Sequence, residues 1–195
     1  RAFGSYLTDV SEWTAGYIIG REIMPQEVDT TNNLHPSMTS FTGKQLSITG
    51  ATASEVFVTQ MLDETVSYED QNYSMNRPVS ISSWPTLDPL KHPTEIYTDE
   101  DKATYDITKI NRDNLKAGLF ACYHAYPYYH NFISQQPSYQ DYTDGYGPDS
   151  YLGYLTDLKN HYEGIPLVIG EFGVPSSWGS AHQSFANMHQ IGRAH

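Results

Sequence analysis

Two glutamates stand in closely related settings: Glu171 in Val168-Ile169-Gly170-Glu171-Phe172-Gly173, and Glu22 in Gly16-Tyr17-Ile18-Ile19-Gly20-Arg21-Glu22. Each follows a short apolar run, so each carboxylate is expected at the end of a buried strand, where a charge must be paired or useful. Two such groups are what glycosidic cleavage needs: one protonated to assist the departing oxygen, the other ionised to attack or to activate water. The plainer alternatives are a strand-end Glu171 bridged to an arginine and a Glu22 paired with its neighbour Arg21. Strict alternation places Leu167, Ile169 and Glu171 on one strand face and Ile18, Gly20 and Glu22 on another. It would send Arg21 to the helix-covered side, an awkward place for a guanidinium, so a bulge near Gly20 is expected.

Aromatic residues gather after the same apolar runs: Trp84, Tyr126, Tyr128, Tyr129 and Trp178. Flat rings of this kind stack on the C–H faces of pyranoses, although aromatics near proline also simply pack loops. Cys122 and His124 share a strand face, but residues two apart on one strand cannot easily meet as nucleophile and base, so Cys122 reads as a small core residue. His35, His92, His130, His161, His182 and His189 have no close metal-ligand spacing. His124 with Glu171 and His92 is the one metal arrangement worth naming; the expectation is no metal and no cofactor.

The elements that must position these residues are short. Gly16 to Gly20, Pro78 to Ile81, Gly118 to His124 and Pro166 to Gly170 each read as a buried strand, too far apart to pair as hairpins. Ala53 to Glu69 has near-helical apolar spacing at Val56, Met61, Leu62 and Val66 after a Ser54/Glu55 start. Ser150 to Tyr162 is a second helix, with an apolar stripe at Tyr151, Leu152, Tyr154, Leu155 and Leu158 before Gly164-Ile165-Pro166 leads into the last strand. Strand and helix in alternation imply an α/β chain with parallel strands. Glu22, Trp84, His124 with Tyr126, and Glu171 follow the four strands in turn, so the C-terminal strand ends carry the chemistry.

Composition sets outer bounds. The 195 residues carry a formal charge of −12 with no basic cluster, which disfavours nucleic acid as a partner. Aromatic residues at 13% and charged residues at 17% describe a chain that folds. No run of about 18 apolar residues exists, so no membrane segment is expected. The single Cys122 excludes an internal disulfide and leaves the compartment open. Residues 1–190 are expected to form one domain, and Ile191-Gly192-Arg193-Ala194-His195 reads as a translated sequencing adapter.

IGEFG after a strand, YHAYP after the preceding one, and a Gly-x-Glu end on an earlier strand resemble the (β/α)8 glycoside hydrolases of clan A, the cellulase-like family 5 and its relatives. IIGREIMPQEVDTTNNLHP, RPVSISSWPTLDPLKHP, LFACYHAYPYYHNF and LVIGEFGVPSS together resemble barrel domains described only as glycosyl hydrolase-like, some joined to glycosyltransferase regions, over nearly the whole chain. The resemblance implies a partial TIM barrel covering the fourth to seventh strands, with the other four needed for closure. It implies Glu22 as acid/base, Glu171 as nucleophile, and Trp84, His124, Tyr126 and Trp178 as substrate-binding residues. The implied partner is a β-linked carbohydrate cleaved by double displacement. Arg21 stands where many clan members have Asn, which favours the alternative of a carbohydrate-binding barrel without turnover, associated with polysaccharide synthesis or export.

Overall fold

The computed structural model describes residues 8–127 and 129–174, together with the backbone of 182–183 and 190–191. After a single 3-10 turn at Ser11–Trp13, strand β1 (Tyr17–Ile19) leads into helix α1 (Pro25–Leu34). A small antiparallel hairpin follows, β2 (Ser40–Thr42) with β3 (Ser47–Thr49), then the long helix α2 (Ala53–Tyr73) and strand β4 (Val79–Ile81). Two further single turns, Pro85–Leu87 and Ile107–Lys109, precede β5 (Ala121–His124), the short helix α3 (Phe132–Gln135), helix α4 (Ser150–His161) and β6 (Leu167–Glu171). A two-residue pair, β7 (His182–Gln183) against β8 (Gln190–Ile191), is also described; residues 192–195 lie outside the described residues.

Local chemistry explains the helix limits. Pro25 occupies the first turn of α1, where its missing N–H costs nothing. At the start of α2, the Thr52 side chain accepts from the Glu55 amide and the Glu55 carboxylate accepts from the Thr52 amide at 2.8 Å, a reciprocal cap. Helix α2 runs four residues beyond the expected Glu69 and stops at Ser74, which adopts a left-handed conformation (φ 49°). Asp149 caps α4 by accepting from Leu152 N at 3.0 Å, and Lys159 and His161 occupy its last turn.

β1 pairs parallel with β4, Tyr17 opposite Val79 and Ile19 opposite Ile81, while β5 pairs parallel with β6. A parallel bridge between Val79 and Leu119 joins the two pairs, so the strands lie in the order β1, β4, β5, β6. The chain is thus a mixed α/β structure built on short parallel sheets, and no barrel closes among the described residues. One face carries the core: Val79, Ile81, Ala121 and Tyr123 are buried with Val56, Leu62 and Val66 of α2 and Tyr154 and Leu158 of α4, and Tyr17, Ile19, Leu167 and Ile169 pack against them.

The other face departs from the expectation of fully buried strands. Ser80 and Cys122 are buried there, but Ile18 and Val168, on the two outer strands, are 50% and 41% exposed. The connection between β4 and β5 contains no α-helix, only loops and the two single turns. No helix among the described residues is long and apolar enough to cross a membrane.

Candidate active site

Glu22 reaches its place through a turn rather than a strand. Gly20 adopts φ +88°, which L side chains rarely accept, and it swings the chain out of β1 before α1 begins. Arg21 is thereby turned outward, not toward the helix-packed side. Its guanidinium binds the Glu27 carboxylate at 2.5 Å and 2.8 Å, leaving the Glu22 carboxylate free of it. The proposed Arg21–Glu22 ion pair is therefore replaced by Arg21–Glu27.

Glu171 is re-aimed by a bulge. Leu167 and Ile169 face the core, and strict alternation would have sent Glu171 the same way. The β5–β6 register slips between Tyr123 and His124: Tyr123 lies opposite Ile169, but His124 lies opposite Glu171, with Gly170 the extra residue. Glu171 therefore shares the non-core face with His124, a correction to the single-face placement that simple alternation predicts. Only glycine fits at the bulge, because a Cβ on Gly170 would lie 2.7 Å from the Cys122 sulfur.

The two carboxylates meet at one ring. His124 Nδ1 lies 2.6 Å from Glu22 Oε1 and 3.5 Å from Glu171 Oε2, and the ligand atoms of all three residues fall within 4.8 Å of one another. The Tyr126 hydroxyl donates to Glu171 Oε2 at 2.5 Å. His124 is nearly buried, whereas the Glu22 and Glu171 side chains are 34% and 50% exposed, so both carboxylates remain open to a ligand. Neither carboxylate has an arginine partner among the described residues.

Ser82 completes the cluster, its Oγ 3.3 Å from His124 Nε2. The β1–β4 pairing extends past both strands through Ser82 N to Ile19 O at 3.1 Å, which carries Ser82 alongside the turn at Gly20. Sequence reasoning passed over this serine, although its position two residues beyond the buried Ser80 put it on the non-core face at a strand end.

The aromatic residues separate into distinct groups. Tyr126 belongs to the carboxylate cluster. Trp84 is half-buried and packs on the core and on His130, with ring centroids 5.9 Å apart, and its indole nitrogen is enclosed without a hydrogen-bond partner among the described residues. Tyr129 donates to Glu100 at 2.8 Å. Tyr128 and Trp178 lie outside the described residues.

His92 does not join a metal set with His124 and Glu171. It is buried between Asp101, 2.9 Å from its Nδ1, and Asp88, 3.0 Å from its Nε2, with Phe132 stacked on its ring. Burial alone would lower the His92 pKa, but hydrogen bonds to Asp101 and Asp88 carry it up to about 9. Glu22 takes the place of His92 in the one His/carboxylate group of metal-like spacing found among the described residues. A divalent ion there would have to displace the 2.6 Å Glu22–His124 hydrogen bond.

No family model, curated protein or solved structure matches the chain.

Proposed function

We propose that the full-length protein is a retaining O-glycoside hydrolase acting on a β-linked carbohydrate, with Glu22 as acid/base and Glu171 as nucleophile. The observation that carries this reading is the convergence of the two carboxylates, from the two outer strands of the parallel array, on one His124 ring nitrogen. Retaining enzymes hold their carboxyl groups about 5–5.5 Å apart, and inverting enzymes about 6.5–9.5 Å to admit a water. One carboxylate oxygen from each of Glu22 and Glu171 lies within 4.8 Å of the other, close enough for both groups to flank one glycosidic bond.

In the first step Glu22 gives its proton to the glycosidic oxygen as that bond breaks, and Glu171 attacks the anomeric carbon to form a glycosyl ester. Tyr126 occupies Glu171 Oε2 and leaves the other oxygen to attack. In the second step Glu22 takes a proton from water, the water oxygen bonds to the anomeric carbon, and Glu171 departs as a carboxylate. The strand order β1, β4, β5, β6 supports reading these strands as consecutive members of a (β/α)8 barrel, whose chemistry sits at the C-terminal strand ends. The activity is accordingly ascribed to the closed barrel of eight strands.

The test is to screen the full-length protein on a panel of β-linked glycans and follow the first-formed anomer by proton NMR. The β-anomer is expected; first release of the α-anomer, or no product across the panel, contradicts the reading. The second reading, carbohydrate binding without turnover, is favoured by one observation: Arg21 is turned to Glu27 and offers nothing beside Glu22 to hold a sugar hydroxyl. Binding in the same panel without product would support it.

A further inference from the structure

We propose that Ser82 is a positioning residue of this site: its hydroxyl pairs with His124 Nε2 in either neutral tautomer, which keeps the Nε2-protonated ring accessible and thereby helps Glu22 hold its own proton. The catalytic consequence rests on the glycosidase reading; the effect on the ring does not.

The groups facing the His124 ring come from all three neighbouring segments. Glu22 follows β1, Ser82 follows β4, and Glu171 ends β6 with the Tyr126 hydroxyl on the same Oε2 that faces the ring. Cys122 lies two residues back on β5, against Gly170. Nδ1 therefore faces the carboxylates and Nε2 faces a hydroxyl.

A serine hydroxyl can donate or accept by rotating, so it can satisfy either neutral tautomer. When Nε2 carries the proton, Nε2–H donates to Ser82 Oγ and the bare Nδ1 accepts the O–H of a protonated Glu22. Once Glu22 has given that proton to the leaving oxygen, its carboxylate needs a donor. The ring then releases the Nε2 proton to solvent and takes one at Nδ1, with no net change. Ser82 rotates to donate to Nε2, so neither form leaves a ring nitrogen unpaired.

Without the hydroxyl the two forms are no longer matched. The Nε2–H form strands a buried donor, whereas the Nδ1–H form strands an acceptor, and an orphaned N–H is the more rarely tolerated of the two. Removal of the hydroxyl thus favours Nδ1–H, which pairs with ionised Glu22 and works against the loaded acid.

The test compares Ser82→Ala, and the near-isosteric pair Ser82→Thr and Ser82→Val, in the full-length protein. Nitrogen-15 NMR of the ring on the acid side of the activity optimum should show His124 protonated at Nε2 in the native and Thr forms and at Nδ1 in the Ala and Val forms. The pH–rate profile of the Ala and Val forms should have its basic limb about one unit lower. Their kcat on a substrate with a poor leaving group should fall about tenfold, with Thr restoring both. The Thr/Val pair, matched in shape, decides the matter if Ser82→Ala fails to fold. The same ring nitrogen protonated in Thr and Val overturns the proposal, and a moved proton with unmoved kinetics overturns its link to catalysis. Failure of a fluoro-sugar to label native Glu171 would instead remove the glycosidase reading, while the ring comparison would still decide what Ser82 does.

Discussion

Arg21 and Glu22 are adjacent in the chain and part company in the structure, the guanidinium to Glu27 at the start of α1 and the carboxylate to His124. That separation leaves the Glu22 carboxylate clear of the guanidinium, as the proposed acid/base role requires. On that proposal, Glu22→Ala in the full-length protein should lose the basic limb of the pH–rate profile on a substrate with an activated leaving group. It should also lose about 10²–10⁴ in rate on a substrate that needs protonation. Persistence of the basic limb would remove Glu22 from the acid role.

His92 gives a second prediction at this scale. Its folded pKa, about 9, lies above the ordinary 6.5, so its stabilisation is complete below pH 6.5 and is lost as pH rises through about 9. The native protein should lose on the order of 3 kcal/mol relative to His92→Gln between those limits. Paired denaturant titrations across the range would check this, and parallel curves would refute it. Glu22, Glu171, His124 and Tyr126 were legible as residues because each follows an apolar run. The enclosure of His92 was not, since Asp88 and Asp101 lie in a connection with no periodic pattern.

The β5–β6 bulge fixes the direction of Glu171. Gly170→Ala should cost about 1–3 kcal/mol, because the new methyl group meets the buried Cys122 sulfur. It should also turn Glu171 away from His124. Adding Cys122→Ala should recover most of the loss in stability and in activity, and a double variant no better than Gly170→Ala would show that the contact is not what matters. Strands β1, β4, β5 and β6 and helices α2 and α4 were readable from apolar runs and periodicity. Helix α1 was not, because its sequence PQEVDTTNNL buries only Pro25 and Val28. The β2–β3 hairpin was missed for another reason: each strand has three residues, and its turn is held by a distant side chain, Asp63 of α2, which accepts from the amides of Lys44, Gln45 and Leu46.

At the scale of the molecule, the parallel strands are covered by helices on one face only among the described residues. Parallel sheets are ordinarily buried on both faces. Ile18 and Val168, on the two outer strands, are half-exposed on the uncovered face. The bulge and the turn at Gly20 bring Glu22 and Glu171 to the same end of this array. Double displacement by this pair would pass through a covalent glycosyl ester on Glu171, which is directly observable. The full-length protein should be incubated with a panel of 2-deoxy-2-fluoro β-glycosides bearing activated leaving groups, then digested and sequenced by mass spectrometry. One glycosyl adduct per molecule is expected, on the peptide containing Glu171 and absent from Glu171→Gln. No adduct across the panel, or an adduct on any other residue, would contradict double displacement by this pair.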